Sequence, residues 1–156
     1  MKLFKFLLSI GLINAGILSY GQAVKPAFNE EDLMKYAVTM DSVKGMQENL
    51  NTTITEMVQK NTTMKVDRYN ALFKVIDDPA KLAETKATPE EIAFVKQVAE
   101  KRTTETATIT ATFQKLAKEY VGLKAFNAIK KSLSTDQALK ERVDALTKEL
   151  DSKGGE

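Results

Sequence analysis

The stretch "LKAFNAIKKSL", Leu123–Leu133, has a partner upstream in "VDRYNALFKVI", Val66–Ile76. Each sets an aromatic before Asn-Ala and follows it with Leu or Ile, so Tyr69-Asn70-Ala71-Leu72 corresponds to Phe126-Asn127-Ala128-Ile129. At the same offset of 57 residues, Lys74/Lys131, Leu82/Leu139 and Glu84/Glu141 are identical, and Val66/Leu123 and Ile76/Leu133 are conservative. A segment stated twice in a small protein points to internal duplication.

The segments preceding the two signatures match as well. "NEEDLMKYAVTM" starts at Asn29 and "TPEEIAFVKQVA" at Thr88, 59 residues later. Each opens with an N-cap residue and acids in the first turn, where they suit the positive end of the helix dipole. Thr88-Pro89-Glu90-Glu91 adds Pro at the first helical position and a glutamate placed for a capping box. An apolar seam then runs in alternating steps of three and four: Leu33, Tyr36, Met40, Val43, Gln47, Leu50, Ile54, Met57 and Asn61 in the first copy. The second runs Ile92, Val95, Ala99, Arg102, Thr106, Ile109, Phe113, Leu116 and Tyr120, each 59 residues from its counterpart. Steps averaging 3.5 residues keep one stripe facing a partner helix. The polar Gln47 and Thr106 are expected to set register and to meet if the helices are antiparallel. Arg102 implies an open end or a facing acid.

These patterns predict an all-α fold, a helical bundle built from two tandem long-helix/short-helix repeats with pseudo-twofold symmetry. Repeat one covers about 29–86 and repeat two about 88–150, in one domain over 24–150. The long helices have about 30 residues, near 45 Å, and short helices near 65–77, 79–85, 123–133 and 135–150 close the ends. Ser134 and Gln137 read as the capping box of the last helix, with Leu139, Val143, Leu146 and Leu150 as its seam. "DSKGGE", 151–156, reads as a disordered tail. "TTETATITAT", Thr103–Thr112, alternates like a strand and is poor in helix formers. The seam passes through it unbroken, so helix is expected there, carried by tertiary packing.

The first 23 residues have another character. Lys2 and Lys5 precede an apolar run, Phe6–Tyr20, and small residues at Gly21 and Ala23. That is the plan of a cleavable secretory signal peptide, with cleavage after Ala23 or Gly21, and the apolar run is short for a membrane span. Its removal takes two lysines and leaves 21 basic against 21 acidic side chains, a formal net charge of zero. Without a basic surplus or stripe, a nucleic-acid partner is not expected. The chain has no cysteine, so there is no disulfide framework and no lipid-modified N-terminal Cys.

The second copy resembles a bacterial family, domain of unknown function 4168. The shared pattern is Gly-Leu-x-x-aromatic-Asn-x-Ile, then Asp-x-x-Leu and Arg-Val, here Gly122, Leu123, Phe126, Asn127, Ile129, Asp136, Leu139, Arg142 and Val143. The first copy departs, with Lys65 at the Gly122 position and one extra residue between Asp78 and Leu82. The resemblance implies an exported helical protein and brings no activity, cofactor or catalytic residue.

Within the signature, Tyr69 and Phe126 read as core anchors rather than ligand-stacking rings. Asn70 and Asn127 read as amides bonded to the backbone of the preceding loop, against an alternative in which the pair lines a polar pocket. Gly122 suits a left-handed position at a helix C-terminus. The clusters Glu30-Glu31-Asp32, Asp77-Asp78 and Glu90-Glu91 read as helix starts and turns rather than metal ligands; the chain has no histidine for a Glu-x-x-His di-iron bundle. Absence of His and Cys also removes the commonest general base, the thiol nucleophile and the usual zinc ligands. Met40 and Met57 lie on the seam and read as core filling. The expected function is a non-enzymatic exported protein, periplasmic or extracellular, that binds envelope components or other exported proteins, with no cofactor. A holdase-type chaperone is the alternative.

Overall fold

The computed structural model describes residues 28–153, and the expected export signal and the last three residues lie outside the described residues. Among the described residues every regular element is helical, and the fold is all-α: α1 (Glu30–Gln59), α2 (Val66–Phe73), α3 (Pro79–Glu84), α4 (Pro89–Lys115), a π-helical segment (Leu116–Gly122), α5 (Leu123–Leu133) and α6 (Gln137–Lys153).

Both long helices start as their sequences dictate. The Asn29 side chain accepts from the Asp32 backbone N–H at 2.6 Å. Thr88 and Glu91 form the reciprocal capping box, at 3.0 and 3.2 Å. The threonine-rich stretch is helix: Thr103, Thr108 and Thr110 return their hydroxyls to the carbonyls of Ala99, Thr104 and Thr106, four residues back. Hydroxyls satisfied on their own helix need no partner elsewhere, which suits a face where the threonines are exposed and Ile109 is buried.

The apolar residues gather in two clusters rather than one seam. The first joins Leu33 and Tyr36 of α1, Ala117 and Val121 of the π segment, Phe126 and Ile129 of α5, and Leu139 and Val143 of α6. The second joins Ile54 and Val58 of α1, Met64, Tyr69 and Leu72 around α2, and Val95 and Val98 of α4. The start of α1 therefore meets the end of α4 and its π extension, and the end of α1 meets the start of α4; the two run antiparallel. Midway the expected seam opens. Gln47, Arg102 and Thr106 are exposed, and Met40 is 39% exposed. These side chains are polar or flexible and stay exposed between the clusters, although Val43 and Ile109 beside them are buried. Met57 packs partly buried against the second cluster as expected, and Met64, in the loop after α1, is buried within it.

Three local expectations are corrected. Asp136, not Ser134, caps α6, its carboxylate accepting from the Leu139 N–H at 3.2 Å. Ser134 instead ends α5, donating its hydroxyl to the Lys131 carbonyl, and Gln137 bonds forward to Glu141. The helix also runs on through Lys153, three residues past its expected limit. Gly122 does hold a positive φ of 85°, but with ψ 124° it lies outside the left-handed helical basin. The chain passes from the π segment into α5 with no intervening loop, and a more extended joint redirects it. A Cβ there would meet nothing within 4 Å, so glycine is required by conformation and not by space.

Since each cluster draws on both sides of Ala87, residues 24–87 and 88–156 made separately are expected to be poorly helical by far-ultraviolet circular dichroism. Mixing them should restore the signal. A half that melts cooperatively as a monomer would show that its cluster does not need the other half.

Candidate functional site

The signature helices sit at opposite ends of the α1–α4 pair, with their aromatic residues turned inward. Phe126 lies 5.0 Å from the Tyr36 ring and 5.5 Å, edge-on, from Phe113. Tyr69 lies 6.1 Å, edge-on, from Phe94 and stacks on Phe73 at 5.7 Å. With Leu72 and Ile129 fully buried three residues on, each helix has a fixed inward face. Tyr69, Phe126, Ile129 and Leu139 are thus core residues, Gly122 is the joint and Asp136 the cap.

The remaining signature residues face outward. Asn70 and Asn127 are exposed, and no hydrogen bond of either amide exists among the described residues, so neither ties down the loop before it. The physical reason is helical phase: one residue after an inward anchor lies 100° round the axis. Four residues before each asparagine stands an exposed apolar residue, Val66 at 44% and Leu123 at 52%. Four residues after it stands an exposed lysine, Lys74 or Lys131. Each signature helix therefore presents an outward stripe of apolar residue, amide and cation, about 12 Å long at 1.5 Å per residue. Neither asparagine lines a common pocket with the other, since they flank different clusters.

Sequence reasoning did not single out Arg68. Its guanidinium reaches Glu91 with both ends of the fork, Nε to Oε1 at 2.8 Å and Nη2 to Oε2 at 2.7 Å, and also donates to the Thr85 carbonyl at 3.2 Å. Glu91 also accepts from the Thr88 N–H as part of the capping box. This clasp ties α2 to the loop after α3 and the first turn of α4. Those bonds, the Arg68 pair first, hold the Glu91 carboxyl down at about 2 and raise the Arg68 guanidinium. The available signal was an arginine beside the aromatic anchor with a capping-box glutamate in the next long helix. Phe73 and Arg102 were also unforeseen as a pair: the Arg102 guanidinium carbon lies 5.8 Å from the Phe73 ring centre. Arg102 thus faces an aromatic ring rather than an acid.

Two clefts accompany these features. One of about 220 Å³ lies between the long helices, lined by Met46, Leu50, Lys101, Glu105 and Ile109 among others. Another of about 450 Å³ surrounds the loop after α1 and ends at Val66, where the α2 stripe begins. Among the described residues no three His, Cys, Asp or Glu side chains are placed to hold a metal ion, and no helix is long and apolar enough to cross a membrane. The chain matches no family model, no curated protein and no solved structure.

Two experiments probe this arrangement. Tyr69→Ala and Phe126→Ala should each cost about 3–5 kcal/mol in urea unfolding, whereas Asn70→Ala and Asn127→Ala should stay within about 0.5 kcal/mol; a costly asparagine variant would restore its structural role. The second concerns pH. Glu91 titrates lower folded than unfolded, so its contribution is present above the ordinary glutamate range and is lost as pH falls toward 2. The urea midpoint should fall over that window, and fall less steeply in Arg68→Leu; identical profiles would rule out the clasp as the source.

Proposed function

We infer that this chain is an exported, non-enzymatic helical protein that binds a protein partner through its two outward signature stripes. In this reading it is built from two tandem units related by a pseudo-twofold axis and belongs with the domain of unknown function 4168 proteins that its second half resembles. The observation that carries the binding reading is the exposed asparagine pair. Asn70 and Asn127 are identical across the two units, contribute no internal hydrogen bond among the described residues, and stand between equivalent exposed residues, Val66/Leu123 and Lys74/Lys131. Side chains that repeat without packing are accounted for by a partner: an amide offers both a donor and an acceptor to a partner's backbone, and the flanking apolar residue and lysine add contact and charge.

The two-unit plan is supported by where equivalent residues fall. At offset 59, Tyr36/Val95, Thr39/Val98 and Val58/Ala117 are buried in both members, and at offset 57 so are Tyr69/Phe126 and Leu72/Ile129. Members of the last two pairs lie in opposite clusters, as a twofold relation requires. Two equivalent stripes also make a bivalent binder, in which engagement of one raises the effective concentration at the other.

The holdase alternative draws on a different observation, the exposure of Met40, Phe73 and Tyr120 beyond the stripes. Scattered apolar contacts would shelter many unfolded clients without choosing among them.

Crosslinking in intact cells tests both. A binder should yield a small set of specific adducts, reduced about tenfold in Asn70→Ala/Asn127→Ala and by less in each single variant, in keeping with bivalency. Unchanged adducts in the double variant would remove the stripes from the interface. Suppression of aggregation of a reduced, unfolded client, equal in wild type and double variant, would favour the holdase.

A further inference from the structure

The correspondence between the halves also fails around Arg102. Tyr69 carries a hydroxyl that its counterpart Phe126 lacks, Phe73 corresponds to Lys130, and Arg102 to Val43. Packing does not require any of the three. Phe126 is as buried as Tyr69 without a hydroxyl, Val43 fills the seam position that Arg102 vacates, and Phe73 is 39% exposed. Yet the three meet: the Tyr69 and Phe73 rings stack, and the Arg102 guanidinium lies against the Phe73 ring.

Their polar groups are only weakly held within the fold. The Tyr69 hydroxyl is buried without a well-formed hydrogen bond, and Arg102 is the polar group beside it. Burial raises its pKa, and nearby Arg102 draws it part of the way back. A buried hydroxyl in that state carries a desolvation cost that a weak contact with Arg102 offsets only in part, and which phenylalanine would avoid. No carboxylate pairs with Arg102 among the described residues; Glu105, three residues on, is taken by Lys101 at 2.8 Å. A cation held by a ring face is less firmly fixed than one in a bidentate ion pair such as Arg68–Glu91.

We propose that Tyr69, Phe73 and Arg102 form a docking site for a carboxylate carried on an apolar segment of a partner protein. Arg102 and the Tyr69 hydroxyl donate to the carboxylate, and the Phe73 ring covers the apolar side chain beside it. This rests on the binding reading above and names the chemistry of the partner. Reaching the hydroxyl requires the side chains over it to give way, and Arg102 does so by turning from the ring to the carboxylate. A protein segment fits better than a free fatty acid, because neither cleft is lined by Phe73 or Arg102 and a long acyl chain calls for an enclosed apolar channel.

The probes are a fluorescent leucine-rich hexapeptide with one central glutamate and the same peptide with glutamine, titrated against the full chain by anisotropy. The glutamate peptide should bind about tenfold tighter, with the preference shrinking in high salt. Tyr69→Phe and Arg102→Val introduce the residues of the other half, and Arg102→Gln gives a second exposed-site variant. Each should reduce the preference below about twofold while the melting temperature holds, or rises for Tyr69→Phe. Equal binding of the two peptides to wild type, binding of neither, or a preference that survives in the Arg102 variants overturns the site. Displacement of the glutamate peptide by laurate at lower concentration than by unlabelled peptide overturns the protein partner. Cellular crosslinks that depend on Asn70 and Asn127 are scored separately, so the carboxylate site can fail while the binding reading stands.

Discussion

One aromatic side chain wedged into each end of the α1–α4 pair is the contact on which the rest of the structure depends. Neither long helix carries enough apolar surface to hold the other along its whole length; midway they offer Gln47, Arg102 and Thr106 to solvent. Phe126 and Tyr69 supply what is missing at the two ends, each drawing residues of both long helices into one cluster. Burial of such rings dominates core energetics, and between the clusters only a few positions, Val43 and Ile109 among them, remain buried.

The two ends reach closure by different physical means. At the first cluster, α6 lies over α1 with Leu139 and Val143 buried. At the second, the corresponding segment is the six-residue α3, which has no buried residue. There the Arg68 fork spans from α2 to Glu91 and Thr85, where the other half has only Ala125. Arg142 of α6 in turn pairs with Glu30 at the start of α1. So the first-turn acids of both long helices, placed for the helix dipole, also receive an arginine from a neighbouring helix. The interaction at Glu91 is bidentate and partly shielded, which makes it the more substantial of the two.

Much of this was legible in the residues. The caps at Asn29 and Thr88, the inward Tyr69 and Phe126 and the helical course through Thr103–Thr112 follow from local chemistry and periodicity. What was not legible depends on how far a cluster extends along a helix. A seam pattern shows which residues share a face; it does not show that Met40 and Gln47 stay exposed beside the buried Val43. The outward turn of Asn70 and Asn127 was concealed for a related reason. Repetition of a residue next to a core anchor suggests a structural role, and only the phase relative to the buried pair Tyr69 and Leu72 places the amide on the other side. Asp136 displaced Ser134 as a cap because both stand before the same helix, and the choice between them turns on where α5 ends.

Matching the two halves position by position separates what packing needs from what it does not. Where paired positions carry different residues and both are buried, as at Tyr36/Val95, the core tolerates either. Where paired positions carry the same residue and both are exposed, as at Asn70/Asn127 and Lys74/Lys131, packing gives no reason for the identity. Where one half places a ring, a hydroxyl and a cation together and the other replaces all three, as around Arg102, packing gives no reason for the difference. The second class lies on the outward faces of the signature helices, and the third joins one of those helices, α2, to Arg102 of α4. The short helices whose inward faces hold the bundle closed thus also carry the repeated outward residues that packing leaves unexplained.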